Sequence, residues 1–137
     1  MTDVKPDNVK SLQKKIILIV DDSSAIRKQV RAILEKEGCV VREAGSEIGM
    51  LNAMEEYGQC VQLVLMDLDL NAASGFDLIG RLRAIEQYSK IPVIILSQHS
   101  DREKVSTARL AGVKGYLVKP IDPLLLTERL RQTFGSM

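Results

Sequence analysis

The chain has 137 residues, 45% hydrophobic and 27% charged, which fits one globular domain and excludes a disordered segment. Lys and Arg number 19 against 18 Asp and Glu, and the formal charge of +1 gives no general attraction to nucleic acid or to an anionic membrane surface. The two cysteines, Cys39 and Cys60, are too far apart for a C-x-x-C site, and His99 is the single histidine, so a zinc centre built on several Cys or His ligands is excluded.

The segment MTDVKPDNVK carries acids and no apolar core, so it does not read as a signal peptide, and no apolar run is long enough to span a membrane. Residues 1–14 are expected to form a flexible lead-in to one domain over 15–137, with no output domain and a cytoplasmic location. Both cysteines are expected to be small buried hydrophobes.

In chain order, Ile16–Val20 is an unbroken apolar run and predicts a buried strand. Ile26, Val30, Ile33 and Leu34 recur at helical spacing, and Gly38 follows as a stop signal. Cys39–Ala44 alternates weakly, as an edge strand does. Ile48, Leu51 and Met54 suggest a second helix, and Val61–Met66 a second buried strand. Leu78, Ile79, Leu82 and Ile85 mark a third helix with Ser74 as its N-cap. Pro92–Leu96 is a further buried strand. Ser100-x-x-Glu103 reads as a capping box opening a fourth helix that Gly112 ends. Tyr116–Val118 is the last strand. Asp122-Pro123 reads as N-cap and N1 of a fifth helix carrying Leu126, Leu130 and Phe134 on one face. The Arg81/Arg83 and Arg129/Arg131 pairs are expected on solvated helix faces, with partner docking as the other reading. The pattern is (βα) repeated five times, an α/β doubly wound parallel sheet with helices on both faces.

Ligands of open α/β sheets bind beyond the carboxyl ends of the strands. The residues there are Asp21 and Asp22 after the first strand, Asp67 and Asp69 after the third, Ser97 after the fourth and Lys119 after the fifth. If ionised, the four acids and the lysine sum to about −3, and two carboxylates about 4 Å apart repel by roughly 4 kcal/mol at an effective dielectric of 20. Such a cluster shifts its pKa values or captures a cation, and a hard divalent ion with oxygen ligands fits. A carboxylate beside a metal, a lysine and a hydroxyl is equipped for phosphoryl transfer.

These stretches resemble the receiver domain of two-component response regulators. The resemblance rests on Ile19–Ser23, on Val64–Leu70 with Gly75 eight residues after Asp67, on Ile95–Ser97, and on Gly112–Pro120. It runs from about Lys15 to Phe134 and implies the flavodoxin-like strand order 2-1-3-4-5, which the receiver CheY also illustrates. It implies that Asp67 is the phosphoacceptor and that Mg²⁺ is held by Asp21, Asp22, Asp67 and the backbone carbonyl of Asp69, with Asp21 acting through water. It makes Ser97 and Lys119 the phosphoryl-contacting residues, Ser97 and Tyr116 the switch, and Lys119-Pro120 a cis peptide. It places Asp69 and His99 where the lifetime of the phosphorylated state is tuned.

The implied partners are a histidine kinase or histidine phosphotransfer protein, which supplies the phosphoryl group in trans, and a downstream target protein. Readout is expected on the fourth helix, fifth strand and fifth helix, with a homodimer through that face as a further use; no direct nucleic-acid or membrane partner is implied. Catalysis is limited to self-phosphotransfer and slow autodephosphorylation.

Three departures stand out. Leu70 and Asn71 replace the Met-Pro often found there, and Gln98 replaces a small residue after Ser97. Other readings fit less well. Asp67-Leu68-Asp69 also resembles the D-x-D of haloacid-dehalogenase-like phosphatases, but there the motif follows the first strand. A flavodoxin-type FMN binder would need a hydroxyl-rich loop where Asp21 and Asp22 stand. A receiver-like interaction module without phosphorylation would not need the full acidic set with Lys119.

Overall fold

The structure, a computed structural model, describes residues 11–70 and 73–136. Five strands, β1 (Ile16–Val20), β2 (Val40–Ala44), β3 (Leu63–Asp67), β4 (Val93–Ser97) and β5 (Gly115–Val118), form one sheet. All four pairings are parallel, in the order β2-β1-β3-β4-β5. The predicted fold class and strand order are therefore observed.

The helices are α1 (Ser24–Lys36), α2 (Glu47–Tyr57), α3 (Gly75–Ala84), α4 (Arg102–Leu110) and α5 (Pro123–Gly135). Their starts are set by side-chain oxygens that accept otherwise orphaned N–H groups: Ser23, Ser46, Ser74, Asp101 and Asp122. The predicted Ser100–Glu103 capping box is thus corrected. The cap of α4 is Asp101, which accepts from Lys104, one residue later than the box requires. Gly38 and Gly112 both stop helices at positive φ, 88° and 76°.

Strand alternation sends successive side chains to opposite faces and divides the core in two. Ile17, Ile19, Leu63 and Leu65 pack with Val30 and Leu34 of α1 and Leu126 and Leu130 of α5. Leu18, Val20, Val64 and Met66 pack with α2, α3 and Ala108 of α4 on the other side. α2 turns in Met50, Ala53 and Met54, whereas Ile48, predicted on its apolar face, is 72% exposed. Ile48 sits about 120° round the helix from Met54, so both cannot face the sheet.

A short 3-10 turn at Glu86–Tyr88 buries Tyr88, whose hydroxyl donates to the carbonyl of Met54. Within the expected lead-in Leu12 is buried and Lys14 donates its N–H to the Gly38 carbonyl, while the side chains of Ser11, Gln13 and Lys14 are exposed.

The cysteines differ, against expectation, because Cys39 is buried and Cys60 is exposed. Burial pushes the Cys39 thiol up to about 11, with Glu37 adding to the shift. At pH 8 a thiol reagent is therefore expected to modify one cysteine rapidly in the folded protein and two in urea. Two fast sites in the folded protein would contradict the packing at Cys39. The shift is stabilising below the unfolded thiol value of 9.0, and that contribution is lost as pH rises through 11.

Candidate functional site

Strand register builds the site. Val20 pairs with Met66 and Asp67 with Leu96, so Asp21, one step past β1, stands beside Asp67. Ser97 pairs with Val118, and Lys119 follows, its N–H donating to the Ser97 carbonyl. The four predicted groups therefore meet at the carboxyl edge. Asp21 and Asp67 are 0% and 3% exposed. Lys119 Nζ donates to Asp21 Oδ2 at 2.8 Å and to Asp67 Oδ1 at 3.3 Å.

Carboxylate oxygens of Asp21, Asp22 and Asp67 lie within 4.8 Å of one another. Burial, and next the charge of Asp21, raise the Asp67 carboxyl above its ordinary value, against the Asp69 N–H and Lys119. Burial works against the Lys119 charge, but hydrogen bonds to Asp21 and Asp67 outweigh it and hold the ammonium above the usual lysine value. The donor set is all oxygen and net negative, which fits a hard divalent cation such as Mg²⁺.

Alternation places the remaining residues across the sheet. Ser97 and Tyr116 lie on the face that carries α2, α3 and α4, whereas Asp67 lies on the α1/α5 face. His99 joins the two. Its N–H donates to Ser97 Oγ at 3.0 Å, its carbonyl accepts from the Tyr116 hydroxyl at 2.6 Å, and its imidazole Nε2 lies 2.8 Å from Asp69 Oδ2. The two residues read from sequence as separate tuning positions are thus in contact. Gln98 points to solvent as an exposed residue. The Lys119-Pro120 peptide is cis.

The loop after Asp67 folds back as a two-stranded antiparallel ladder, Asp69–Leu70 with Ala73–Ser74, in which Leu70 is buried. Asn71 lies outside the described residues. The ladder delivers Gly75 onto the Asp67 backbone, where its N–H donates to the Leu68 carbonyl. A Cβ at 75 would stand 2.3 Å from the Asp67 carbonyl oxygen and 2.9 Å from Leu68 Cα, both backbone atoms that cannot yield. Gly75→Ala is expected to cost about 2 kcal/mol, read as a lower urea midpoint at unchanged m-value. An unshifted midpoint would show that the loop has room.

Sequence reasoning missed Arg27. Its guanidinium donates to the Asp21 carbonyl at 2.6 Å and to Glu43 at 2.9 Å, tying the end of β1 to β2. The signal was a cation near the amino end of α1, where the helix dipole favours acids.

A parallel five-stranded α/β domain with an acid cluster and lysine at this edge defines a class of phosphate-handling switch proteins. The family described as "Response regulator receiver domain" matches residues 17–131, and the chain belongs to it. It is 31% identical over 123 residues to a chemotaxis protein CheY homolog of Campylobacter jejuni, covering 88% of this chain and 92% of that protein. It is 33% identical over 122 residues to the chemotaxis protein CheY-3 of Vibrio cholerae, again 88% and 92%. Among solved structures it is similar to CheY4 of Vibrio cholerae, with a TM-score of 0.80, 27% identity, and 87% and 98% coverage. A CheY-like receiver domain from Methanospirillum hungatei gives 0.78 at 28% identity, with 90% and 96% coverage. The chain is thus a CheY-like receiver, a module of phosphorylation-dependent two-component signalling rather than a turnover enzyme. Receiver domains generally bind Mg²⁺ at their acidic pocket. No helix among the described residues is long and apolar enough to cross a membrane.

Proposed function

We propose that the chain is a switch driven by phosphorylation of Asp67. The observation that carries this reading is the buried ring in which Lys119 bonds both Asp21 and Asp67 while Asp22 completes a carboxylate trio. An Asp67 oxygen attacks the phosphorus of a phosphohistidine on a histidine kinase or phosphotransfer protein. The O–P bond forms as the P–N bond breaks, and the imidazole keeps the electron pair and takes a proton. The Lys119 ammonium and the Ser97 hydroxyl take two of the transferred oxygens. Asp21, Asp22, Asp67 and the Asp69 carbonyl would hold Mg²⁺, which neutralises charge on the phosphoryl oxygens.

The new group takes Asp67 from about −1 to about −2 and adds strong acceptors. Ser97 accepts from the His99 N–H and keeps its own O–H to donate; turning that hydroxyl to the new group shifts the acceptor of the His99 N–H, and the carbonyl of the same residue holds the Tyr116 hydroxyl. Phosphorylation therefore re-weights two arrangements of one loop, and Tyr116 carries the change to α4, β5 and α5, where a downstream target docks. The Asp69–His99 contact stands beside the acceptor and sets how fast water reaches the adduct, which is lost slowly by autodephosphorylation. This reading places the protein in the cytoplasm, with the kinase's phosphohistidine.

Incubation with acetyl phosphate and Mg²⁺ is expected to add one phosphoryl group by intact mass. An unchanged mass, with a phosphorylated kinase also failing, would overturn the reading.

A further inference from the structure

The acid cluster has a second cation beside it besides Lys119. Arg27, near the start of α1, donates through Nη1 to the Asp21 carbonyl at 2.6 Å and through Nε to Glu43 Oε1 at 2.9 Å. The first turn of α1 holds no acid, and the helix dipole disfavours a cation there. A group outside the helix must therefore hold Arg27 in place.

That group is Glu43. Parallel register sets Glu43 of β2 opposite Ile19 of β1, on the face of the sheet that α1 covers. Arg27 and Arg31 stand one turn apart on α1 and share a stripe. Glu43 takes one of them with each carboxylate oxygen: Oε1 accepts from Arg27 Nε and Oε2 from Arg31 Nε, while Arg31 reaches on to Glu35 at 3.0 Å. Burial works against the Glu43 charge, but the hydrogen bonds from Arg31 and Arg27 outweigh it and hold the carboxyl below its ordinary value. The Arg27 guanidinium is seated closely enough that a Cβ at Gly45 would stand 3.1 Å from its Nη1.

The carbonyl that Arg27 holds belongs to the peptide joining Asp21 to Asp22. Asp21 itself is fully engaged. Its N–H donates to the Ala44 carbonyl at 3.0 Å, and its carboxylate accepts from the Ser23 N–H and from Lys119. Asp22 differs. Its residue is partly exposed, and no ion pair among the described residues uses its carboxylate. A guanidinium bonded to the adjoining carbonyl thus stands one peptide from an acid, yet it pairs with Glu43, 16 residues on.

We propose that Glu43 is a positioning residue for the divalent-cation site: it keeps the Arg27 guanidinium on the Asp21 carbonyl and off the Asp22 carboxylate, which is thereby left for the ion. This role rests on the reading of Asp21, Asp22 and Asp67 as a Mg²⁺ site. Without Glu43 the guanidinium takes Asp22 as its acceptor, and an incoming ion must first displace it. Arg31 does not follow, because Glu35 remains its partner.

Titration with Mn²⁺, an octahedral oxygen-seeking stand-in for Mg²⁺, tests this, with binding read from the fall in the free-ion EPR signal. Glu43→Gln is expected to bind about fivefold more weakly than wild type, the scale of one partly exposed ion pair. A remote negative charge would also attract the ion, so a double-mutant cycle with Arg27 separates the two roles. In the Arg27→Met background the same Glu43→Gln change is expected to alter the affinity by less than about 1.5-fold, because no guanidinium is left to release. A fivefold loss that persists without Arg27 would overturn the proposal, as would a Glu43→Gln protein that binds Mn²⁺ as tightly as wild type. Urea transitions without the ion are read on all four proteins, and cooperative unfolding shows that each is folded. If Glu43→Gln lacks such a transition, Glu43→Asp takes its place, its carboxylate drawn back one methylene from Arg27. Binding about twofold weaker is then expected, with the loss vanishing in the Arg27→Met background, and full affinity overturns the proposal. Arg27→Gln replaces Arg27→Met on the same criterion. Wild type that binds no Mn²⁺ defeats the reading of the cation site beneath; wild type that binds it, in a cycle without coupling, defeats this proposal alone.

Discussion

Asp67→Asn is expected to abolish the phosphoryl adduct and at the same time to make the protein more stable. The amide offers no anionic oxygen to attack phosphorus, so the mass gain with acetyl phosphate disappears. Stability rises because Asp67 is buried and stands beside Asp21, and both facts disfavour its charge. Its pKa in the fold lies above the ordinary value of 3.8. A raised carboxyl stabilises the fold only below the unfolded value, and that contribution is gone once pH passes the folded value. At pH 7, well above the ordinary value of 3.8, the acid is therefore a net cost to the fold. The amide oxygen still accepts from the Asp69 N–H, a bond of 3.2 Å in the native chain. In the absence of Mg²⁺ the urea midpoint at pH 7 is expected to rise by an amount worth on the order of 1 kcal/mol, and the two proteins to converge near pH 3. A hydroxylamine-labile adduct on the Asn variant would place the acceptor elsewhere. A lower midpoint would mean that the carboxylate ring is favourable as it stands.

Lys119→Met works in the opposite direction. The Lys119 side chain is 9% exposed and its ammonium bridges Asp21 and Asp67, so its removal leaves two buried carboxylates without their cation. Breaking a buried ion pair from one side costs about 3–5 kcal/mol, and about 3 kcal/mol is expected here without Mg²⁺ at pH 7. The lysine's raised pKa stabilises the fold below its ordinary value of 10.5 and stops doing so as pH climbs through the folded value, so at pH 7 the whole contribution is at stake. A divalent ion supplies positive charge to the same carboxylates. Saturating Mg²⁺, which stabilises any protein that binds it by about 2.7 kcal/mol at a hundredfold excess over Kd, is therefore expected to raise the urea midpoint more in the variant than in wild type. Equal increments would show that the lysine and the ion do not share partners.

Much of the architecture was readable from residue order. Runs apolar on both faces occur only where helices cover a sheet twice, and they located β1, β3 and β4 to within a residue or two. The edge chemistry followed because parallel strands deliver their next residues to one side, where Asp21, Asp67, Ser97 and Lys119 were expected and are found. What escaped depends on tertiary contacts that no periodicity records. Ser100 and Asp101 are both good caps, and the choice of Asp101 is made by where the chain leaves β4. Ile48 is apolar yet exposed because Met50, Ala53 and Met54 already fill the buried side of α2. Arg27 on Asp21 and Asp69 on His99 join residues 6 and 30 positions apart, distances set by loop paths rather than by local spacing. The ladder that brings Gly75 onto Asp67 involves two residues per strand, too few to leave a pattern.

The sheet is one layer thick, and alternation sets Asp67 on its α1/α5 side and Ser97 on the side of α2, α3 and α4. On the proposed reading, the group is received and answered in separate rooms that share a wall, with His99 as the doorway at its rim. Substitutions of Val30 and Leu34 press on the side where the group would be received and those of Leu78, Leu82 and Ala108 on the other, whereas Leu126 and Leu130 of α5 reach both, because α5 also borders the proposed output face. On the proposed reading, changes under α1 and changes under α4 can therefore drift separately over evolutionary time, while changes in α5 or at the rim alter both sides together.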